Sequence, residues 1–318
     1  MTKDEAINLI NNAKSLVDVF PDLGVWKNQY KKLAMLIHPD HCNTTEAEQA
    51  FKILAEFVSK IEKGSKHNDD SGEIKYKIID ASILDNLSTI KSVLGVKELP
   101  IVTELILKGK PELNKISLYN YNILTNLKDK SSEHFKKYLP ISITKISDNE
   151  LKIILPYRAV PLSSLGVLPQ EHVNWILSRM LEFSSWLNQI KFVHGGINPD
   201  SIYIIPENHG MICTSFYHMS KLDDKMKTIS GKYSQFYPSK VFTSKKATSD
   251  IDIELSKRSA IYLLGDTSGA GIKLKKTHNV NILDFIFKNH NIPLNAYKEY
   301  REILNKNYDM KKFHVLKA

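Results

Sequence analysis

Phe192-Val193-His194-Gly195-Gly196-Ile197-Asn198-Pro199-Asp200-Ser201-Ile202-Tyr203-Ile204 joins a long helical pattern to a short strand-like run. Upstream, after Pro169, the residues Val173, Ile176, Leu177, Met180, Leu181 and Trp186 are spaced for burial along one helix. Downstream, Ile202–Ile205 and Met211–Cys213 are short β-like pieces, and further helical pattern closes the chain. Towards the N-terminus, β-like runs take over at Ile74–Ala81, Ile90–Val96, Ile101–Leu107, Ile141–Ile146 and Leu151–Leu155. A helix-like stretch over Leu113–Leu127 interrupts them. Strands first and helices after predict an α+β unit, with a small lobe over about 73–156 and a large lobe over about 157–318.

Residues 1–64 have a different pattern, helical throughout. Ala6, Ile10, Ala13 and Val17 step along one face until Phe20-Pro21-Asp22-Leu23-Gly24 breaks the helix. A second helix from about Val25 turns Tyr30, Leu33, Ala34 and Ile37 inward and Lys27, Lys31 and Lys32 outward. It ends at His38-Pro39-Asp40, because proline disfavours helix in the residue before it. A third helix follows Thr44-Thr45, with Glu48 placed as the acidic partner of a capping box. Its inward stripe is expected to be Ala47, Phe51, Leu54, Val58 and Ile61. The stretch Lys63-Gly64-Ser65-Lys66-His67-Asn68-Asp69-Asp70-Ser71-Gly72 has no hydrophobic residue, so 65–72 is expected to be a linker.

The composition narrows the function classes. Hydrophobic residues at 42% and charged residues at 25% exclude wholesale disorder. No apolar run is long enough for a membrane span, and no basic segment followed by an apolar one opens the chain. Two cysteines, Cys42 and Cys213, make no disulfide framework and fit a reducing compartment, so a cytoplasmic location is expected. The net charge of +9 contains only four arginines, Arg158, Arg179, Arg258 and Arg301, which argues against a specific nucleic-acid reader. Residues 1–64 carry eight Lys and nine acidic residues, so their basic character is a local helix face. Thirteen glycines in 318 residues leave few candidates for a phosphate loop.

Over residues 1–64, the basic helix Tyr30–Ile37, the tripeptide His38-Pro39-Asp40 and the helix from Ala47 resemble the J domain of DnaJ-type co-chaperones. The resemblance implies a three-helix J domain that docks on a DnaK-type chaperone and stimulates its ATP hydrolysis. Lys27, Lys31 and Lys32 would face acidic chaperone surface, and His38, Pro39 and Asp40 would bias the chaperone towards hydrolysis. The first helix is longer and more polar than the family's usual opening.

The stretch 192–204 resembles the catalytic-loop signature of protein kinases. Gly231–Phe242 resembles the segment ending in the Ala-Pro-Glu motif, and Ser249-Asp250 with Leu255–Gly265 resembles the buried helix that anchors the large lobe. The whole looks like the kinase-like domains that follow a J domain in some bacterial and phage proteins. Matched position by position, the chemistry of phosphoryl transfer is missing. The base aspartate maps onto Gly196 and the metal-binding asparagine onto Ser201. The aspartate of Asp-Phe-Gly maps onto Ser215, ahead of Phe216. Lys108 fits the strand lysine that holds phosphates, but its helix glutamate falls near Asn120. No glycine lies between Gly72 and Gly95, so Asp85–Ile90 stands where a phosphate-covering loop would be. His194 reads as a core histidine, Asp250 as a cap for backbone amides, and Lys240 as a reversed structural charge.

Two further patterns are decoys. Gly265–Lys273 lacks the spacing of a phosphate loop, and His38, His41 and Cys42 lack a second ligand pair for zinc. The tail Tyr297–Ala318 reads as an amphipathic helix on the large lobe. The expected protein is therefore a co-chaperone or adaptor. Its J domain brings a DnaK-type chaperone, and a kinase-like domain without catalysis, cofactor or metal binds a protein client. The alternatives are an unconventional kinase or nucleotide binder using Lys108, and a scaffold whose J domain no longer signals.

Overall fold

The computed structural model describes residues 1–13, 16–20, 26–42, 44–63, 65–84, 88, 91, 101–206, 210–308 and 316. Residues 1–66 and 75–105 form one compact unit, and residues 67–74 and 106–317 form a second. The expected strand Ile90–Val96 lies outside the described residues, apart from Lys91.

In the first unit the helices are α1 (Lys3–Asn11), α2 (Leu16–Val19), α3 (Trp26–Ile37) and α4 (Thr45–Lys63). The long first helix read from the sequence stops at Asn11, and the short α2 follows it. The capping box lies at the start of α1, where Thr2 Oγ1 accepts from Glu5 N at 3.2 Å and Thr2 N donates to Glu5 Oε2 at 2.7 Å. Glu48 does not close a box on α4. It takes Lys52 Nζ at 2.7 Å, and Thr44 Oγ1 alone caps the Ala47 amide. The inward stripe of α4 is Ala47, Ala50, Leu54 and Phe57, one row round from the expected one; Phe51 and Val58 are only half-buried, and the side chain of Ile61 lies outside the described residues. It packs with Ala6 and Ile10 of α1 and with Leu33 and Ile37 of α3, all at most 5% exposed. This apolar contact is what holds short polar-faced helices together.

The expected linker is a hairpin: β1 (Ser65–Asn68), a tight turn, and β2 (Gly72–Asp80). Asp69 Oδ1 accepts from Ser71 N at 2.8 Å and Gly72 N at 3.0 Å, which closes the turn without any apolar residue. Gly72 is obligatory, because a Cβ there would stand 2.0 Å from the Lys108 carbonyl oxygen.

In the second unit, residues 67–68, 72–74 and 106–109 belong to a sheet ordered β1-β2-β3-β5-β4, with β3 (Ile101–Gly109), β4 (Ser142–Ser147) and β5 (Glu150–Pro156). The hairpin β4–β5 pairs antiparallel with Ile143 opposite Ile153. Between β3 and β4 lie α5 (Pro111–Thr125), started by a proline that needs no amide partner, and α6 (Lys130–Phe135). The helical part is built on α7 (Gln170–Gln189), whose Ile176, Leu177, Met180, Leu181 and Trp186 are fully buried. It packs on α9 (Asp250–Leu263) and α11 (Pro293–Asn307); α8 (Lys240–Ser244) precedes α9 in the chain, and α10 (Val280–Phe287) packs on α11. Trp186 stacks on Phe135 at 5.2 Å and donates to Ser132 Oγ. In α11, Tyr300 and Leu304 are buried, and most of the expected tail helix beyond Tyr308 lies outside the described residues. Two small antiparallel sheets, β6 (Val160–Pro161), β8 (Ile202–Ile205) and β9 (Gly210–Cys213), then β7 (Phe192–Val193) with β10 (Ser220–Lys221), frame the loop 194–201. No helix among the described residues is long and apolar enough to cross a membrane.

Candidate functional site

Between β7 and β8 the backbone is fixed by buried side chains. His194 is fully buried; its Nδ1 accepts from Gly196 N at 3.2 Å and its Nε2 donates to the Thr214 carbonyl at 2.9 Å. Those roles require the neutral ring, and burial pushes its pKa down to about 3. The histidine is a fastener of two loops. Asp252, on α9, accepts from His194 N at 2.7 Å and Gly195 N at 2.8 Å, while Tyr237 donates to the Gly195 carbonyl at 2.6 Å.

The positions that match catalytic groups are engaged otherwise. A Cβ on Gly196 would lie 2.3 Å from His218 Cδ2, so the space for a base is filled by an imidazole. Ser201 Oγ donates to the Gly196 carbonyl at 2.7 Å and is fully buried, tied into its own loop. Ser215 takes a left-handed backbone, φ +59°, and its Oγ lies 3.3 Å from Asp69 Oδ2. Asn120, on α5, donates to the carbonyls of Phe216 and Met219 at 2.8 and 3.0 Å, which satisfies a buried turn. Lys108 is exposed at the end of β3.

The turn between β1 and β2 reaches this loop, and sequence reasoning missed it. Asp69 is half-buried, and its desolvation raises its pKa to about 6 against the amides of Gly72 and Ser71. Asp70 Oδ1 accepts from Gly231 N and Lys232 N at 2.9 and 3.2 Å, and its Oδ2 lies 3.8 Å from His218 Nε2. Next to it Lys232 Nζ is 2.6 Å from Asp200 Oδ2. The expected occupant of this position, Asp85–Ile90, lies outside the described residues apart from Ser88. The clue in the sequence is Asp69-Asp70-Ser71-Gly72, a turn signature inside a polar run.

Asp250 is not the amide cap. It pairs with Lys240 Nζ at 2.8 Å, so the reversed charge at Lys240 has a carboxylate partner, and the capping falls to Asp252 one half-turn on. Burial raises the Asp252 pKa to about 6, so this group favours folding most below the usual carboxylate range and loses that contribution as pH rises through about 6. Asparagine stays neutral at every pH. The cost of Asp252→Asn, read from urea unfolding, should therefore be roughly 2 kcal/mol larger at pH 4 than at pH 8. A cost independent of pH would contradict a buried, proton-linked Asp252.

In the first unit, Lys27, Lys31 and Lys32 are exposed on α3, and His38-Pro39-Asp40 forms the turn after it. His38 Nδ1 accepts from Asp40 N at 3.2 Å, and its ring meets Phe51 edge-on at 5.4 Å. Beside the lysines, Leu9, Val19, Leu33, Met35 and Leu36 line a groove of about 750 Å³. Among the described residues no group of three or more His, Cys, Asp or Glu side chains is placed to hold a metal. In the glycine-rich stretch from Gly265, Asp266 takes the amides of Ser268 and Gly271 at 3.0 and 2.8 Å, so that loop is filled by its own carboxylate.

No family model matches the chain, and no curated protein is similar to it. Among solved structures, that of vaccinia related kinase 3 is similar over 77% of this chain and 91% of that chain, with 12% identity and a TM-score of 0.47. The functional reading rests on the chain's own element order and loop geometry.

Proposed function

We propose that this protein is a co-chaperone or adaptor of the cytoplasm. Residues 1–64 act as a J domain that recruits and stimulates a DnaK-type chaperone, and a kinase-like unit without phosphoryl transfer binds a protein client. The observation that carries the first half is the turn His38-Pro39-Asp40, with Pro39 and Asp40 exposed and His38 half-buried, directly after a helix whose Lys27, Lys31 and Lys32 point to solvent. Such a face steers encounter with an acidic surface. The second half rests on Gly196, whose missing side chain leaves no base and whose space holds His218. Joining both in one chain raises the effective concentration of chaperone at the client.

Affinity purification with the natural protein and with His38→Gln separates the two roles. The variant should lose the chaperone and keep the client; loss of both, or of neither, counts against the division. The rival reading, a nucleotide binder using Lys108, predicts a rise in melting temperature with ATP and magnesium. With Lys108 exposed and Asp69 set against Ser215, no such rise is expected.

A further inference from the structure

Asp70 is held as a bound anion would be. Two consecutive amides, Gly231 N at 2.9 Å and Lys232 N at 3.2 Å, converge on one of its oxygens, the arrangement of an anion-binding nest. The other oxygen faces His218 Nε2 but stops 3.8 Å away. That nitrogen, on a ring 1% exposed, has no hydrogen-bond partner among the described residues. His218 Nδ1 is 2.7 Å from Thr228 Oγ1, which leaves Nε2 as the ring nitrogen turned towards the anion. Folding of the turn does not need this contact, because Asp69 already closes it through Ser71 and Gly72. A carboxylate has two oxygens: here one takes both amides and the other stops short of the imidazole. A phosphoryl group is bulkier, carries more negative charge and has three acceptor oxygens.

We propose that Gly231, Lys232 and His218 form a phosphoryl-binding site that Asp70 occupies in the resting protein. A phosphoryl group entering it displaces the turn. Gly231 and Lys232 are exposed, so the ligand arrives from solvent. The charges facing the site are Lys232, which favours the ligand, and Asp200 and Asp69, of which Asp200 is already paired with Lys232. The ligand chemistry is a terminal phosphoryl, carried by a phosphorylated side chain or by a nucleotide. This site is independent of the co-chaperone reading, since it needs neither His38 nor a chaperone.

The test uses the full chain with Asp70→Ala, titrated at low salt with inorganic phosphate, a phosphoserine peptide, its unphosphorylated twin, and ATP. The variant should bind inorganic phosphate at least tenfold more tightly than the natural protein, and Asp70→Ala with His218→Phe should lose most of that gain. Preference for the phosphopeptide assigns the site to a phosphorylated partner, and preference for ATP assigns it to a nucleotide; either supports the site. A cooperatively folded Asp70→Ala that binds phosphate no better than the natural chain overturns it. If Asp70→Ala does not fold, the natural chain decides: saturable shifts of the Gly231 and Lys232 amide resonances with phosphate support the site. Their absence in salt-matched titrations overturns it.

Discussion

Gly196→Asp is expected to destabilise the protein strongly and to leave it without phosphoryl transfer. An aspartate is the residue a kinase-like loop would need here, yet its Cβ would stand 2.3, 2.6 and 2.8 Å from three atoms of His218. That ring has little room to yield: it is 1% exposed, bound to Thr228 and packed on Tyr217 at 4.3 Å. Overpacking of this kind costs about 1–3 kcal/mol. Burying an added carboxylate beside this ring adds more, for a total on the order of 3–5 kcal/mol. That is a large fraction of the stability of an ordinary domain. Urea unfolding measures it, and Gly196→Asp with His218→Ala should recover much of the loss, because the two sites share the same space. An unchanged unfolding midpoint for the single variant would contradict the placement of His218.

Long periodic segments are legible in the sequence alone. The row from Val173 to Trp186 is buried on α7, and the β-branched runs at Ile101 and Leu151 are strands within a few residues of their expected ends. Polar segments are not legible in this way, because hydrophobic pattern is silent where there are no hydrophobic residues. The turn of the hairpin at 65–72 is closed by a polar side chain, Asp69, and so the segment has the composition of a linker. The stripe on α4 differs from expectation because Ala47 begins two plausible rows, through Ala50 or through Phe51, and only packing against α1 and α3 selects between them. Asp252, rather than Asp250, holds the amides for a similar reason. Its amide partners are 57 and 58 residues away, and local spacing does not say which of two nearby carboxylates faces them. The filling of Gly196 by His218 and the reach of Asp70 to Gly231 are likewise long-range contacts. They belong to tertiary structure alone.

The second large effect falls on His38. Its ring rests on Phe51 and its Nδ1 holds the Asp40 amide, so the turn's shape depends on the imidazole while both side chains stay open to a partner. Glutamine keeps the size and polarity of the side chain and removes the ring. Folding should change little, since His38 lies at the surface. A productive J-domain contact, by contrast, should fail entirely rather than weaken. The most direct measurement is therefore steady-state ATP turnover by a DnaK-type chaperone with increasing natural protein or His38→Gln. The account predicts several-fold stimulation by the natural protein and none by the variant at equal melting temperature. Equal turnover with both, or no stimulation by either, would contradict it.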